Sequence, residues 1–216
     1  VVCNTGMVLG ALAVAEDYPQ ETEMILENAA KYMPNCLKLF APDGVCYEGP
    51  AYWGYTNRYL AMYLKAVTDN GGDRGKIAEL PGISRTALYQ IRTLTPSGHP
   101  FFGNAGIGHE SFGGPAYFLY SKMFRQPEVA AWNRNEVAKT LQGAELFDQL
   151  FFLSLPWFDD ASSRGADAVP AMEVYHNKIN DIVVFNGNRS KKGAVYLVAK
   201  GGLPNQAHQH MDCGTF

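Results

Sequence analysis

Apolar positions follow two different periods along this chain. Through about residue 153 they recur every three or four positions, the spacing of helices with one buried face, and after about residue 171 they alternate, the spacing of strands. The helical pattern predicts elements over 4–17, 20–33 and 51–70, and further helices near 84–94, 114–125, 128–141 and 144–153. Tyr18-Pro19 ends the first helix, and Pro19 and Pro50 suit the starts of the second and third, because proline is preset for the first helical turn. In the third, residues 52, 55, 59, 60, 63 and 64 form the predicted buried stripe.

The turn-rich stretch "PWFDDASSRGADAVPA" (156–171) separates the two regimes. Beyond it "AMEVYHN", "NDIVVFNG" and "GAVYLVAKGG" read as strands, with "NGNRSKKG" (186–193) as the loop between the last two. Helices followed by strands, without alternation, predict an α+β chain or two separate domains rather than a parallel α/β sheet. No residue-level repeat is visible, although successive hairpins of similar length are what an α-hairpin array gives.

Composition narrows the partners. A chain of 216 residues with 47% hydrophobic content has enough apolar side chains for a sizeable core. A net charge of −3 with mixed signs creates no field favouring nucleic acid or an anionic membrane, so neither is expected as a partner. No apolar run reaches the ~18–20 residues of a membrane span. The chain opens without Met inside a helical pattern and closes inside a strand pattern, so it reads as an internal piece of a longer protein. Cysteines 3, 36, 46 and 213 follow no C-x-x-C spacing and are expected as core-filling thiols, with a Cys36–Cys46 bridge as the alternative in an exported protein.

Three segments concentrate chemistry. "PDGVCYEGPAYWGY" (42–55) places Asp43, Tyr47, Glu48, Tyr52, Trp53 and Tyr55 at a loop-to-helix junction. Aromatic faces beside carboxylates suit a sugar cleft, where rings stack and hydroxyls take hydrogen bonds; the competing reading is tyrosines packed in a helical core. "SGHPFFGNAGIGHESFGG" (97–114) carries His99, Asn104, His109 and Glu110 on a glycine-rich loop that is neither a phosphate loop nor a dinucleotide fingerprint. Asn104 and His109 are its candidates for lining a site, against loop packing. In "KGGLPNQAHQHMDCGTF" (200–216), His208, His210 and Asp212 alternate and would share one strand face. Such a face is a metal site, a catalytic site or a solvated strand; H-x-H supplies two of the ligands a zinc ion needs.

In their order and their placement on helix, loop and strand, these three segments resemble the heparinase II/III-like family of polysaccharide lyases, over nearly the whole chain. The resemblance implies (α/α) toroid hairpins over 1–160, and over 171–216 the truncated start of an antiparallel β-sandwich, with the site between them. It implies β-elimination on an acidic, uronic-acid-containing polysaccharide. Tyr52 in "GPAYW" and His208 in "HQH" match the base and acid, Asn4 the group that clamps the substrate carboxylate, and His210 a ligand of a structural zinc. Glu48, Trp53, Tyr55, Asn104 and His109 are the accompanying substrate contacts. The loop reads G-N-A-G where the family is more acidic. A periplasmic or secreted location follows from the same resemblance.

The reaction sets physical demands on these residues. The C5 proton beside a carboxylate is a very weak acid, so the carboxylate must be neutralised and the enolate-like charge stabilised. A base must take that proton and an acid must protonate the leaving oxygen. Two competitors stand beside this reading: a glycoside hydrolase on the same toroid using Asp43 and Glu48, and a glycan-binding protein without chemistry.

Overall fold

The computed structural model describes residues 1–95, 103, 114–143, 150–162, 170–187, 193–203, 214 and 216. Among them lie helices α1 (Val2–Ala13), α2 (Pro19–Leu37), α3 (Pro50–Asp69), α4 (Thr86–Thr93), α5 (Pro115–Phe124), α6 (Pro127–Gly143) and α7 (Ser154–Trp157). Strands β1 (Met172–Tyr175), β2 (Ile182–Asn186) and β3 (Tyr196–Lys200) follow. No strand precedes Met172 among the described residues, so the α+β order holds.

Four helices begin on proline, at residues 19, 50, 115 and 127, where the missing N–H leaves no bond unmade. α1 ends earlier than its apolar pattern, because Tyr18, standing before Pro19, leaves helical geometry and the chain turns on bonds from Asp17 and Tyr18 to the Val14 carbonyl. α2 runs on through Pro34, past its expected end at 33. Its last turn is held by burial of Leu37, which continues the seam of Ala29 and Met33. Of the helix expected over 144–153, residues 144–149 lie outside the described residues, and Phe151–Leu153 form a 3-10 turn leading into α7.

The predicted stripe on α3 splits. Leu60, Tyr63 and Leu64 are buried as expected, but the seam continues through Trp53, Asn57 and Val67, while Tyr52, Tyr55 and Tyr59 lie on a more open face. The reason is Asn57, a polar residue fully inside the core. Its Nδ2 donates to the Trp53 carbonyl at 3.0 Å and its Oδ1 accepts from the Tyr120 hydroxyl at 2.9 Å, so its polar atoms are satisfied there.

α3 is central: it packs on α1 and α5, α1 on α2, and α5 on α6 and α7. The strands form an antiparallel sheet in the order β1-β2-β3, with Tyr175 opposite Ile182 and Ile182 opposite Lys200. Tyr175, Ile182, Val184 and Val198 alternate onto the buried face. There Tyr175 meets Tyr89 of α4 edge-on at 5.3 Å, Arg92 pairs with Glu173 at 2.7 Å, and the Tyr196 hydroxyl donates to the Arg92 carbonyl at 2.6 Å. The opposite face carries Met172, Val174, Val183, Phe185, Leu197 and Ala199, and is apolar as well.

The cysteines depart from the expectation. Cys46 is buried, but Cys3 and Cys36 are exposed, and all three are free thiols. Cys3 and Cys36 lie on the exposed sides of α1 and α2, whose buried seams run through Val8 and Ala11 and through Ala29, Met33 and Leu37. Cys213 lies outside the described residues.

Candidate functional site at the entrance to α3

The loop 41–49 owes its shape to a close approach at Gly44. Gly44 has φ +83°, and a Cβ there would stand 2.6 Å from the Thr86 main chain. Its carbonyl accepts from Thr86 Oγ1 at 2.8 Å, and that same oxygen accepts from Trp53 Nε1 at 2.8 Å. The chain Trp53–Thr86–Gly44 ties the first turn of α3 to α4 and to the loop. Trp53 is 3% exposed and stacks on Tyr117 with ring centres 5.2 Å apart. The ring face and the N–H of Trp53, expected as a substrate contact, are both engaged in the core.

Tyr52 stands one residue before Trp53, half-buried on the other side of the first turn. Its ring meets Tyr55 edge-on at 6.4 Å, and Tyr55 meets Tyr59 at 5.3 Å, so three tyrosines run along one flank of α3. Tyr55 is the most open of them, 45% exposed. Just before the helix, the Tyr47 hydroxyl lies 3.5 Å from Glu48 Oε1. Burial pushes the Tyr47 phenol above its ordinary range, and the neighbouring Glu48 charge adds to the shift.

The turn 176–181 between β1 and β2 docks on this loop. Asp43, 7% exposed, pairs with Arg85 through Oδ1 and accepts the His176 main-chain N–H at 2.8 Å through Oδ2. Both carboxylate oxygens are thus engaged in holding sheet to helices, which counts against Asp43 as half of a hydrolase pair. Asn177 Nδ2 donates to the Leu39 carbonyl at 2.6 Å while its Oδ1 accepts from Ile179 at 2.9 Å. Asn180 Nδ2 donates to the Tyr47 carbonyl at 2.9 Å.

The end of β3 and Gly103 of the glycine-rich segment reach the same place. The Gly201 and Leu203 amides donate to the Asp181 and Ile179 carbonyls, each at 2.9 Å. Gly202 has φ +129°, and a Cβ there would lie 2.2 Å from the Ile179 carbonyl oxygen and 2.5 Å from Asn180 Oδ1. Gly103, with φ +54°, sits so close to the loop that a Cβ would lie 2.9 Å from the Glu48 carbonyl oxygen. Only glycine fits either approach.

Of the predicted site residues, Glu48, Tyr52 and Tyr55 share this region. Asn4 does not join them through a described contact: on α1 its amide points at Met33 Sδ, 3.9 Å away, while the next residue, Thr5, donates to the Tyr59 carbonyl at 3.2 Å. Asn104, His109, His208 and His210 lie outside the described residues, as do His99, Glu110 and Asp212. The zinc expected at His210 therefore has no described ligand, and no group of three metal-ligating side chains occurs among the described residues. Sequence reasoning passed over Asn57, Thr86, Arg85, Asn177 and Asn180. The signal for the last two was present in "HNKIND" (176–181), since asparagines in a turn bond to nearby main chain. Searched against family models and against curated proteins, the chain matches none.

Proposed function

We propose that this chain is part of a polysaccharide lyase of the heparinase II/III-like type, acting by β-elimination on an acidic, uronic-acid-containing glycan. The observation that carries the reading is a convergence. Gly103 abuts the Glu48 carbonyl, and Asn180 spans from the Tyr47 carbonyl to Gly202, so a described residue of each of the three segments behind the resemblance lies where the chain enters α3. A reaction needing a base and an acid on one sugar residue requires such a meeting of distant segments.

In this reading Tyr52 removes the C5 proton and His208 serves the leaving oxygen. Glu48 and Tyr55 contact the sugars, with Asn104 and His109 from the glycine-rich loop. The tyrosine flank of α3 offers apolar ring surface with hydroxyls at its edge, the combination that sugar binding uses. The helices would be hairpins of an (α/α) toroid and the sheet one layer of a sandwich. The apolar outward face from Met172 to Ala199 supports the second layer, because a sheet with two apolar faces is stable when both are covered. Secretion or a periplasmic location, and a structural zinc at His210, belong to the same proposal.

The test is digestion of a panel of uronic-acid glycans followed by ultraviolet absorbance. Elimination leaves a conjugated unsaturated uronate and raises absorbance; hydrolysis releases reducing ends with no such rise. Binding without either product would favour the glycan-binding reading.

A further inference from the structure

Asn180 is fully buried at the tip of the β1–β2 turn, and it touches both chain segments to which the proposed chemistry belongs. Its Nδ2 donates to the Tyr47 carbonyl at 2.9 Å, five residues before Tyr52. That bond fixes which end of the amide is which, so Oδ1 faces the other way, toward Gly202. Among the described residues, Oδ1 is buried and accepts no hydrogen bond. A buried amide oxygen left unpaired costs about 1–3 kcal/mol, against which the bond to the Tyr47 carbonyl is set.

We propose that Asn180 is a positioning residue: it sets the strand end Gly201–Leu203, from which the chain continues to His208, at a fixed distance from the loop that leads into Tyr52. This rests on the lyase reading. The geometry leaves little slack. The Gly201 and Leu203 amides clamp the strand end to the residues on either side of Asn180, and the absent Cβ at Gly202 lets the backbone press against its Oδ1. Released from the Tyr47 carbonyl, the tip of the turn and the strand end would move together relative to α3, while Asp43 and Asn177 still hold the start of the turn. A misplacement of about 1 Å in a reacting pair costs on the order of 100-fold in rate, whereas substrate affinity is spread over many contacts.

The experiment compares wild type, Asn180→Ala and Asn180→Asp by steady-state kinetics on a glycan the wild type cleaves, and by hydrogen exchange at the Gly49, Gly201 and Leu203 amides. Asn180→Ala is expected to lower kcat on the order of 10- to 100-fold with KM changed less than about threefold, and to accelerate exchange on both segments. Asn180→Asp keeps the shape, and its carboxyl donates to the Tyr47 carbonyl only when protonated. Its activity should therefore rise relative to wild type as pH falls, a profile that simple loss of packing does not produce. If Asn180→Ala fails to fold, the Asn180→Asp profile decides alone. Wild-type kcat within twofold in Asn180→Ala, or a flat ratio of Asn180→Asp to wild type across pH, overturns the proposal. Absence of any eliminated product from wild type overturns the lyase reading instead. The exchange arm still decides the coupling, which fails if only one of the two segments loosens.

Discussion

Trp53 Nε1 and the Gly44 carbonyl share one hydroxyl, Thr86 Oγ1, at 2.8 Å each. A donor on α3 and an acceptor in the loop before it are thus satisfied by one buried hydroxyl from α4, and the first turn of α3 cannot shift without straining one of the two bonds. Thr86→Val keeps the volume and removes both. With each orphaned buried group costing about 1–3 kcal/mol, the variant should lose about 2–5 kcal/mol in urea unfolding. A loss below about 1 kcal/mol would mean that water reaches the pair.

Thiol chemistry reports on the loop independently. Cys3 and Cys36 are exposed, whereas Cys46 is buried beneath the loop with its thiol pushed up to about 12 by burial. A thiolate-selective reagent at mildly alkaline pH should label Cys3 and Cys36 within minutes and leave Cys46 untouched until denaturant is added. Labelling of Cys46 in the native protein would show that the loop opens.

The same burial predicts an alkaline limit to stability. Cys46 is raised from 9.0 to about 12, and the Tyr63 phenol from 10.0 to about 12, by desolvation in each case, with Asp73 adding to the second. Both groups are neutral when protonated and anionic when not, and the folded state keeps their protons to higher pH than the unfolded state does. The unfolded chain therefore releases protons first, and stability falls as pH rises. Tyr89, Tyr120 and Tyr175, also raised by burial, act in the same sense. Urea midpoints should decline from pH 9 toward 12, and Cys46→Ala should remove the part of the decline that begins before the tyrosines titrate.

Much of the framework is legible from the chain. Pro19 and Pro50 announce helix starts, and the change from three- and four-residue spacing to alternation locates the onset of the sheet at Met172. Periodicity says less about which flank of a helix is buried when tyrosines and an asparagine compete. On α3 the core took Asn57 and Trp53 and left Tyr55 outside, because Asn57 could satisfy both ends of its amide within the core. The docking of sheet on helices is less legible still. It is carried by Asp43, Asn177 and Asn180, which reach main-chain atoms more than 130 positions away, and such bonds have no period to read.

The turn 176–181 supplies a further measurement. Asn177 caps its own turn through Oδ1 and bonds the Leu39 carbonyl through Nδ2, so Asn177→Ala leaves two main-chain groups unpaired. The expected loss is about 2–4 kcal/mol. Asn177→Asp should recover the turn bond to Ile179 but not the bond to Leu39, since a carboxylate cannot donate. Equal stability of the two variants would place the whole effect on the Leu39 contact.

Tyr52 is the residue on which the functional proposal turns, and its surroundings make the substitution informative. The ring packs edge-on against Tyr55 in the first turn of α3, and Phe preserves that packing while removing the hydroxyl. If the phenol carries the proton in β-elimination, Tyr52→Phe should lower kcat by about 100- to 10,000-fold, the range typical of removing a general base or acid. Stability should fall by no more than about 0.5–1.5 kcal/mol, the worth of one hydrogen bond. Tyr55→Phe and Tyr55→Ala serve as controls on the same flank. A ring that only stacks on sugar tolerates loss of its hydroxyl, so Tyr55→Phe should keep kcat, while Tyr55→Ala should raise KM. The reverse pattern, with Tyr52→Phe active and Tyr55→Phe inactive, would move the proton carrier about one helical turn along α3, and full activity in both would remove tyrosine chemistry from this helix.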